Sequence, residues 1–342
     1  MKNTKKLITI YLIALFVFIS AAVTLRSVAL FNSFNWGTMH FDGSVTFTVS
    51  AIISFIAVLG FSSFIFLAPK KYKLTPDCSA LEIFIPSGIL SVAFIFMSVS
   101  MLIGWFTRTP QKLTGIAQIV SYIPVLLTIL AVLSAAFSFL SIMSLKRICN
   151  FKAALGMCAI AFLALYGTYL FFAKDSHPTN SPNKIIDQLA YFSSAIFMLF
   201  ETRIALGRDM WKPYVSLGLS SAILCAYSSL PALILYFANG ATISDSITES
   251  VLTFTIFVYV SVKLLLTLKL PSDDCCKMAS AIQQMATKRE EELAEKRMAA
   301  HAHEYNIMEE NSITDDTASD GDAQTTEPTE GQISFDLNSS EG

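Results

Sequence analysis

The chain has 342 residues, 54% of them hydrophobic and only 15% charged, with a formal net charge of −2. A soluble globular domain carries about 25% charge; here residues 7–268 are near-continuous apolar runs, while 269–342 are polar and charged. This excludes an ordinary soluble fold, and the small net charge, an average over two unlike regions, points to no nucleic-acid partner.

Several runs reach about 20 residues, the length that crosses a hydrocarbon core of roughly 30 Å at 1.5 Å per residue. Backbone groups cannot stay unpaired in lipid, so such runs must be helices. The expected fold is an all-α membrane bundle of about eight transmembrane helices, followed by a cytoplasmic helical and then disordered acidic tail. The spans read at about 7–25, 45–68, 85–106, 119–143, 153–173, 187–206, 215–238 and 249–268. Residues 1–270 thus form the transmembrane domain, with the lipid bilayer as its first partner.

In the first run, Lys2, Lys5 and Lys6 precede a long apolar stretch, and Ser20-Ala21-Ala22 resembles a signal-peptidase site. The apolar run continues to Leu25, longer than a usual signal core, so it is read as an uncleaved span. The segment 26–44 that follows is the longest external loop. Within it FNSFNWGTMHFDG carries Phe31, Phe34, Trp36 and Phe41, aromatic side chains of the kind that gather at the headgroup layer. A carbohydrate- or ligand-binding loop is the sharper alternative.

Small residues recur at helical spacing in the second span (Thr46, Ser50, Ser54, Ala57) and the fourth (Ala131, Ser134, Ser138, Ser141). Such stripes let helices approach closely and hydrogen-bond across the gap. A polar pore lining is the alternative; packing is preferred because neither stripe holds an ionisable residue. Pro124 in the fourth span marks one potential kink.

The sixth span ends in MLFETRIALGR. Its cytoplasmic end is read near Leu206, so Glu201 lies only about 8 Å inside at 1.5 Å per residue. Arg203 can snorkel to the headgroups as a membrane-interface basic residue; the shorter Glu201 cannot reach as far. Arg203 is also a poor partner, since residues two apart point to different helix faces. Lys263 in the eighth span sits at matching depth, so a Glu201–Lys263 pair tying the sixth span to the eighth is expected. A separation above about 6 Å, beyond a close charge effect, would reject it. A structural tie is preferred over a proton or substrate relay.

The seventh span contains SSAILCAYSSLPALI, with Ser220, Ser221, Tyr227, Ser228, Ser229 and Pro231. Proline removes a backbone donor, and the nearby hydroxyls of Ser228 and Ser229 are expected to satisfy the freed carbonyl or to line a solute path. A polar break near the midplane is a transporter signature, though one proline is ordinary in membrane helices.

Orientation follows from the lysines and arginines, which stay preferentially in the cytoplasm. Alternate segments hold Lys2, Lys5, Lys6, Lys70, Lys71, Lys73, Lys146, Arg147, Lys152, Arg208 and Lys212, eleven in all, against five on the other side: Arg26, Arg108, Lys112, Lys174 and Lys184. Both termini are therefore placed in the cytoplasm at the cell membrane, which requires an even number of spans.

After the last span, residues 271–305 are rich in helix formers and are read as a cytoplasmic juxtamembrane helix. Glu292 precedes Lys296 by four, a supporting pair, while Ile282, Met285, Leu293 and Met298 make no clean heptad. Residues 306–342 hold ten acidic side chains and no Lys or Arg. They cannot bury enough surface to order and are read as a disordered, solvated tail, with an interaction segment for a cytoplasmic protein partner or a phosphorylation segment as the alternative.

The six cysteines show no metal or redox spacing. The adjacent Cys275 and Cys276 are read as plain thiols, with juxtamembrane lipidation as the alternative. His40 and His177 are placed outside and His301 and His303 in the tail. No phosphate-binding loop, zinc-protease helix or nucleophile elbow occurs, so no cofactor, metal or catalytic residue is assigned. The expected role is a non-enzymatic sensing, anchoring or scaffolding one, with the tail as its working surface, favoured by the lack of deep charges and the long tail. The alternative is a small-solute transporter with a site near the seventh span and the cytoplasmic end of the sixth.

Overall fold

The computed structural model describes residues 2–38, 40–41, 43–68, 80–107, 122–140, 149–172, 181–205, 210–240, 247–266 and 294–299. Helix α1 (Lys2–Ser33) leads into a small antiparallel hairpin, β1 (Phe34–Asn35) and β2 (His40–Phe41), with Phe34 opposite Phe41. Then come α2 (Val45–Ser62), the single turn α3 (Phe64–Leu67), α4 (Ala80–Thr107), α5 (Ile123–Leu140) and α6 (Cys149–Phe172). Helices α7 (Pro182–Ala205), α8 (Trp211–Asn239) and α9 (Ile247–Leu266) complete the bundle.

Local chemistry sets several boundaries. Ser44 caps α2, its side chain accepting from the Phe47 N–H, which satisfies one of the donors a helix start leaves open. Gly240 closes α8 with φ +68°, a left-handed conformation that glycine adopts without Cβ strain, and its N–H donates to the Tyr236 carbonyl. Pro124 is the second residue of α5. A missing N–H costs nothing in a first turn, so Pro124 starts the helix rather than kinking it.

Each long helix turns apolar side chains outward: Ile10, Ile13 and Val17 on α1, Phe55, Ile56 and Leu59 on α2, Val92, Ile95 and Phe96 on α4, Ile129 and Val132 on α5. The polar residues Ser50, Ser54, Ser91, Ser134, Ser138, Ser194 and Ser221 point inward and are buried. Water would select the opposite pattern; hydrocarbon selects this one. The protein is an all-α membrane bundle.

Helices α4, α5, α6, α7, α8 and α9 pack in sequence order, and α9 returns to α4, so the six form a closed cycle of neighbours. The α1–α2 hairpin packs on α8. Helix α8 is thus covered on several sides, and α9 is held by α4, α7 and α8. Both have more of their surface inside than α1, α2, α4, α5 and α6.

Among the described residues, seven helices are long and apolar enough to cross a membrane: α1, α2 with α3, α4, α5, α6, α8 and α9. Helix α7 has the length, 24 residues, but Lys184, Asp187, Glu201 and Arg203 make it too polar to stand with them on composition. Its neighbours fix its direction. Tyr191 packs on Tyr166 of α6, ring centroids 4.9 Å apart, and Thr202 faces Gly156 of the same helix. Ser194 lies 3.2 Å from Ser221 of α8, and Asp187 accepts from Ser228. In both cases residue numbers rise in one helix as they fall in the other. Helices α6 and α8 therefore run the same way, and α7 runs back between them.

Close approach depends on small residues. A Cβ at Gly156 would stand 2.6 Å from the Thr202 hydroxyl, and one at Gly218 would stand 2.9 Å from Leu264 and 3.0 Å from Phe197. Ser91 donates to the Ala135 carbonyl across α4–α5, and Ser216 to the Phe61 carbonyl across α8–α2. These are the interhelical contacts a stripe of small polar residues permits; Ser141 lies outside the described residues.

The first helix differs most from the sequence reading. It extends to Ser33 and carries Arg26 inside it, fully buried, not in an external loop. Ser20 to Ala22 lie in mid-helix, and Ala22 packs against Ile186 and Tyr227. What remains of the segment read as an external loop is the aromatic hairpin, in which Phe41 stacks on Phe47 at 3.9 Å and Trp36 is exposed. The chain divides into two units at residue 283. In the second unit residues 294–299 are helical and exposed; the rest of the 271–305 segment, the acidic tail 306–342 and the Cys275–Cys276 pair lie outside the described residues.

Candidate functional site

Helix α7 carries ionisable groups at both ends, and each end meets a different set of partners. At the C-terminal end Glu201 and Lys263 come together: Lys263 Nζ lies 3.0 Å from Glu201 Oε1, with both side chains more than nine-tenths buried. The Tyr259 hydroxyl donates to the same oxygen at 2.6 Å. Tyr259 and Lys263 are four residues apart on α9, so one helix face presents both donors to α7. Glu201 Oε2 is buried without a hydrogen-bond partner. Arg203 is not part of this cluster; it is half-buried and donates to the Met210 sulfur at 3.7 Å.

The second cluster lies at the other end, roughly 21 Å away along α7 at 1.5 Å per residue from Asp187 to Glu201. Its centre is Arg26, 1% exposed. One guanidinium nitrogen donates to Asn183 Oδ1 at 2.9 Å, and the other terminal nitrogen donates to the Tyr227 backbone carbonyl. The guanidinium also lies 4.7 Å from the centroid of the Tyr227 ring, within range of a cation–π attraction. The Tyr227 hydroxyl in turn lies 2.7 Å from Ser50 Oγ on α2. The carboxylate of Asp187, half-buried, takes a hydrogen bond from Ser228 and stands close enough to Arg26 for their charges to interact.

Why Arg26 finds a backbone carbonyl is written in the sequence of α8. Pro231 lies four residues after Tyr227, inside the helix. Proline has no N–H, so the Tyr227 carbonyl has lost its helical donor, and Arg26 supplies one from α1. The hydroxyls of Ser228 and Ser229, expected to take this role, do not. Ser228 turns to Asp187, and Ser229 donates at 2.7 Å to the Cys225 carbonyl, one turn earlier.

Nearby, Glu249 on α9 is buried and accepts from the Tyr166 hydroxyl at 2.6 Å; Lys184 is buried as well. Between the two ends Ser194 lies 3.1 Å from Cys225 Sγ and 3.2 Å from Ser221 Oγ. Beyond it Phe197 and Met198 of α7, Leu219 of α8 and Ile256 of α9 are wholly buried, an apolar layer before Glu201. The polar face of α7 thus reads Asn183, Asp187, Ser194, Glu201, spaced four, seven and seven residues apart, a single helical stripe.

The sequence reading found Glu201 and Lys263 but placed Arg26 and Lys184 in loops and left out Asp187 and Glu249. The bundle therefore buries more charge than that reading allowed: Arg26, Lys184 and Glu249 as well as the Glu201–Lys263 pair. Hydropathy ends a span at the first charge, whereas these helices run a turn or more further because the charges meet partners inside the bundle. The α7 stripe was the available signal.

Among the described residues no group of three or more His, Cys, Asp and Glu side chains is gathered to hold a metal ion. His40 Nδ1 lies 2.7 Å from the Thr38 carbonyl in the hairpin; the other three histidines lie outside the described residues. Cys158 and Cys225 are free thiols. No protein-family model matches the chain, and no curated protein or solved structure shows significant similarity to it.

Proposed function

We propose that this bundle is a non-enzymatic membrane carrier for a small polar solute, with α7 as its eighth span and working helix. The observation that carries this reading is the α7 stripe: an ionisable side chain near each end, Asp187 half-buried and Glu201 buried, with Ser194, Ser221 and Cys225 between. A charged side chain deep in a bilayer costs on the order of 2.5–3.5 kcal/mol on insertion scales, and such residues mark solute and ion paths by default. A bundle that only anchors a tail has no need of Arg26, Lys184, Glu201, Glu249 and Lys263 inside it.

The carrier sits in the cell membrane with both termini cytoplasmic. With Arg26 and Lys184 inside helices, the outward loops keep only Arg108, Lys112 and Lys174 of the five basic residues first counted there. Lys2, Lys5, Lys6, Lys152 and Lys212 of the other set also lie in helices, so the bias that sets orientation keeps its sense, about twofold. The Glu201–Lys263 end then faces the cytoplasm and the Arg26 end faces outward.

A sensing or scaffolding role is the second reading, and one observation favours it. Glu201 is matched by Lys263 and Tyr259 within the fold, as a purely structural tie would be. Under that reading residues 306–342 form the surface for a cytoplasmic protein partner.

Proteoliposomes separate the two. Purified protein is reconstituted and uptake of a panel of radiolabelled small carboxylates, amines and neutral polar solutes is followed. The carrier reading expects saturable uptake of at least one class, lost in Glu201→Gln. Uptake no greater than in empty liposomes across the panel, together with altered cell behaviour on deleting 306–342, would transfer the function to the tail.

A further inference from the structure

We infer that Glu201 is a proton-binding site, at which a proton from the cytoplasm competes with Lys263 for the carboxylate and so unfastens α7 from α9. This deepens the carrier reading by naming its coupling ion, and rests on that reading for its orientation and purpose.

The hydrogen bonds of Glu201 are lopsided. Lys263 Nζ at 3.0 Å and the Tyr259 hydroxyl at 2.6 Å both meet Oε1. Oε2 is buried and has no hydrogen-bond partner. A tie built only for strength places donors on both oxygens of a buried carboxylate, since an acceptor left idle there is costly. The surroundings restrict what can fill the gap. Thr202, the next residue, packs so tightly on Gly156 that an added Cβ would stand 2.6 Å from its hydroxyl. A metal cation asks for several oxygen ligands, and an organic cation asks for room. A proton asks for neither; it needs one lone pair.

The groups around Glu201 leave the carboxylate to this pair. Helix α7 packs against α6, α8 and α9. From α9 come Lys263 and Tyr259. From α8 come Tyr214, whose ring lies on Phe197 at 5.0 Å, and Lys212, which donates to the Ile65 carbonyl. The one described titratable side chain in the Gly156 half of α6 is the Cys158 thiol. Arg203, on α7 itself, turns to the Met210 sulfur.

Glu201 stands four residues before the end of α7 at Ala205, about 6 Å at 1.5 Å per residue. The buried layer of Phe197, Met198, Leu219 and Ile256 separates it from the other end. The proton therefore arrives from the near end, the cytoplasmic one in the orientation given above. It bonds to Oε2, the carboxylate becomes a neutral carboxyl, and the attraction for Lys263 falls away. Lys263 keeps its three protons and leaves as an ammonium. It lies three residues before the end of α9 at Leu266, and its long stem can carry the charge to the headgroups. Tyr259 still donates to Oε1 and keeps the carboxyl in place. Helix α9 meets α7 over far less surface than it meets α8 and α4, so loss of the ion pair frees the two helices at this end.

The experiment uses the full chain in nanodiscs, with the proton itself as the probe. Difference infrared spectra follow the carbonyl stretch of a protonated carboxyl from neutral to acid pH. Spin labels at Ile196→Cys and Leu265→Cys, both exposed positions, in a chain whose native cysteines are replaced by serine, follow the α7–α9 separation. In the wild type the carboxyl band and a longer separation should appear together. Tyr259→Phe should move the band, because that hydroxyl donates to the same carboxyl; this assigns the band to Glu201 even where Glu201→Gln fails to fold. Glu201→Gln should lack the band and show the longer separation already at neutral pH. In Lys263→Met, with the competitor gone, the band should appear at a proton concentration lower by about tenfold or more. No band at all, a band indifferent to both Tyr259→Phe and Glu201→Gln, or a separation that stays fixed as the band appears overturns the inference. So does a band in Lys263→Met at the wild-type proton concentration. The carrier reading is judged apart: saturable uptake in proteoliposomes that ignores an imposed pH gradient would sink proton coupling while leaving a carrier in place.

Discussion

Lys263→Met offers the sharpest perturbation of the α7–α9 contact. At 3.0 Å and an effective dielectric of about 20, two unit charges attract by about 5.5 kcal/mol gross. Desolvation offsets much of that, so the pair itself contributes little net stability. Removing one partner is different, because the carboxylate stays buried with only the Tyr259 hydroxyl; the loss expected is about 3–5 kcal/mol. Glu201→Gln should cost a similar amount, since it takes the opposite charge from beside the buried ammonium. The double variant Glu201→Gln/Lys263→Met removes both charges and should recover to within about 1 kcal/mol of wild type. The assay is equilibrium unfolding in bicelles by steric trapping, read as a double-mutant cycle. Single losses below about 1 kcal/mol, the value of a solvent-exposed pair, would show that water reaches Glu201 and that the buried-pair reasoning fails.

Other outcomes follow from the same contacts. Arg26→Leu should cost several kcal/mol in wild type and clearly less on a Pro231→Ala background, where the helix itself supplies the Tyr227 carbonyl with a donor; equal losses in the two backgrounds by the same unfolding assay would refute the role given to Pro231. Gly156→Ala places a methyl 2.6 Å from the Thr202 hydroxyl and should destabilise by about 1–3 kcal/mol, with Thr202→Ala in the same chain restoring part of it. Tyr227→Phe and Ser50→Ala should each cost about 1 kcal/mol and together little more than either, since they share one hydrogen bond; additive losses would place the two hydroxyls in separate networks.

Much of the bundle was legible in the sequence because lipid imposes a simple code: apolar runs of fixed length. The Glu201–Lys263 approach was legible because two isolated charges of opposite sign stood at one depth in apolar surroundings. The Arg26 cluster was not, and Arg26 itself shows why. A charge at the end of an apolar run reads as the start of a loop. Whether the helix continues depends on partners such as Asn183 and the Tyr227 carbonyl, 157 and 201 residues away in the chain. Pro231 was recognised as a break, but the group that answers it comes from another helix, and local sequence does not carry that information. Pro124 misled in the opposite sense: its effect depends on helix position, and a hydropathy run does not locate the first turn.

The most direct test of the whole account is the direction of α7. Single cysteines introduced at Ser176→Cys and Asp209→Cys, in a chain whose native cysteines are replaced by serine, are treated in intact cells with a membrane-impermeant maleimide. The account predicts labelling at position 176 from outside and at position 209 only after the membrane is opened. Labelling of both positions from one side would mean that α7 does not cross, and the charges it carries would lose their place inside the bilayer.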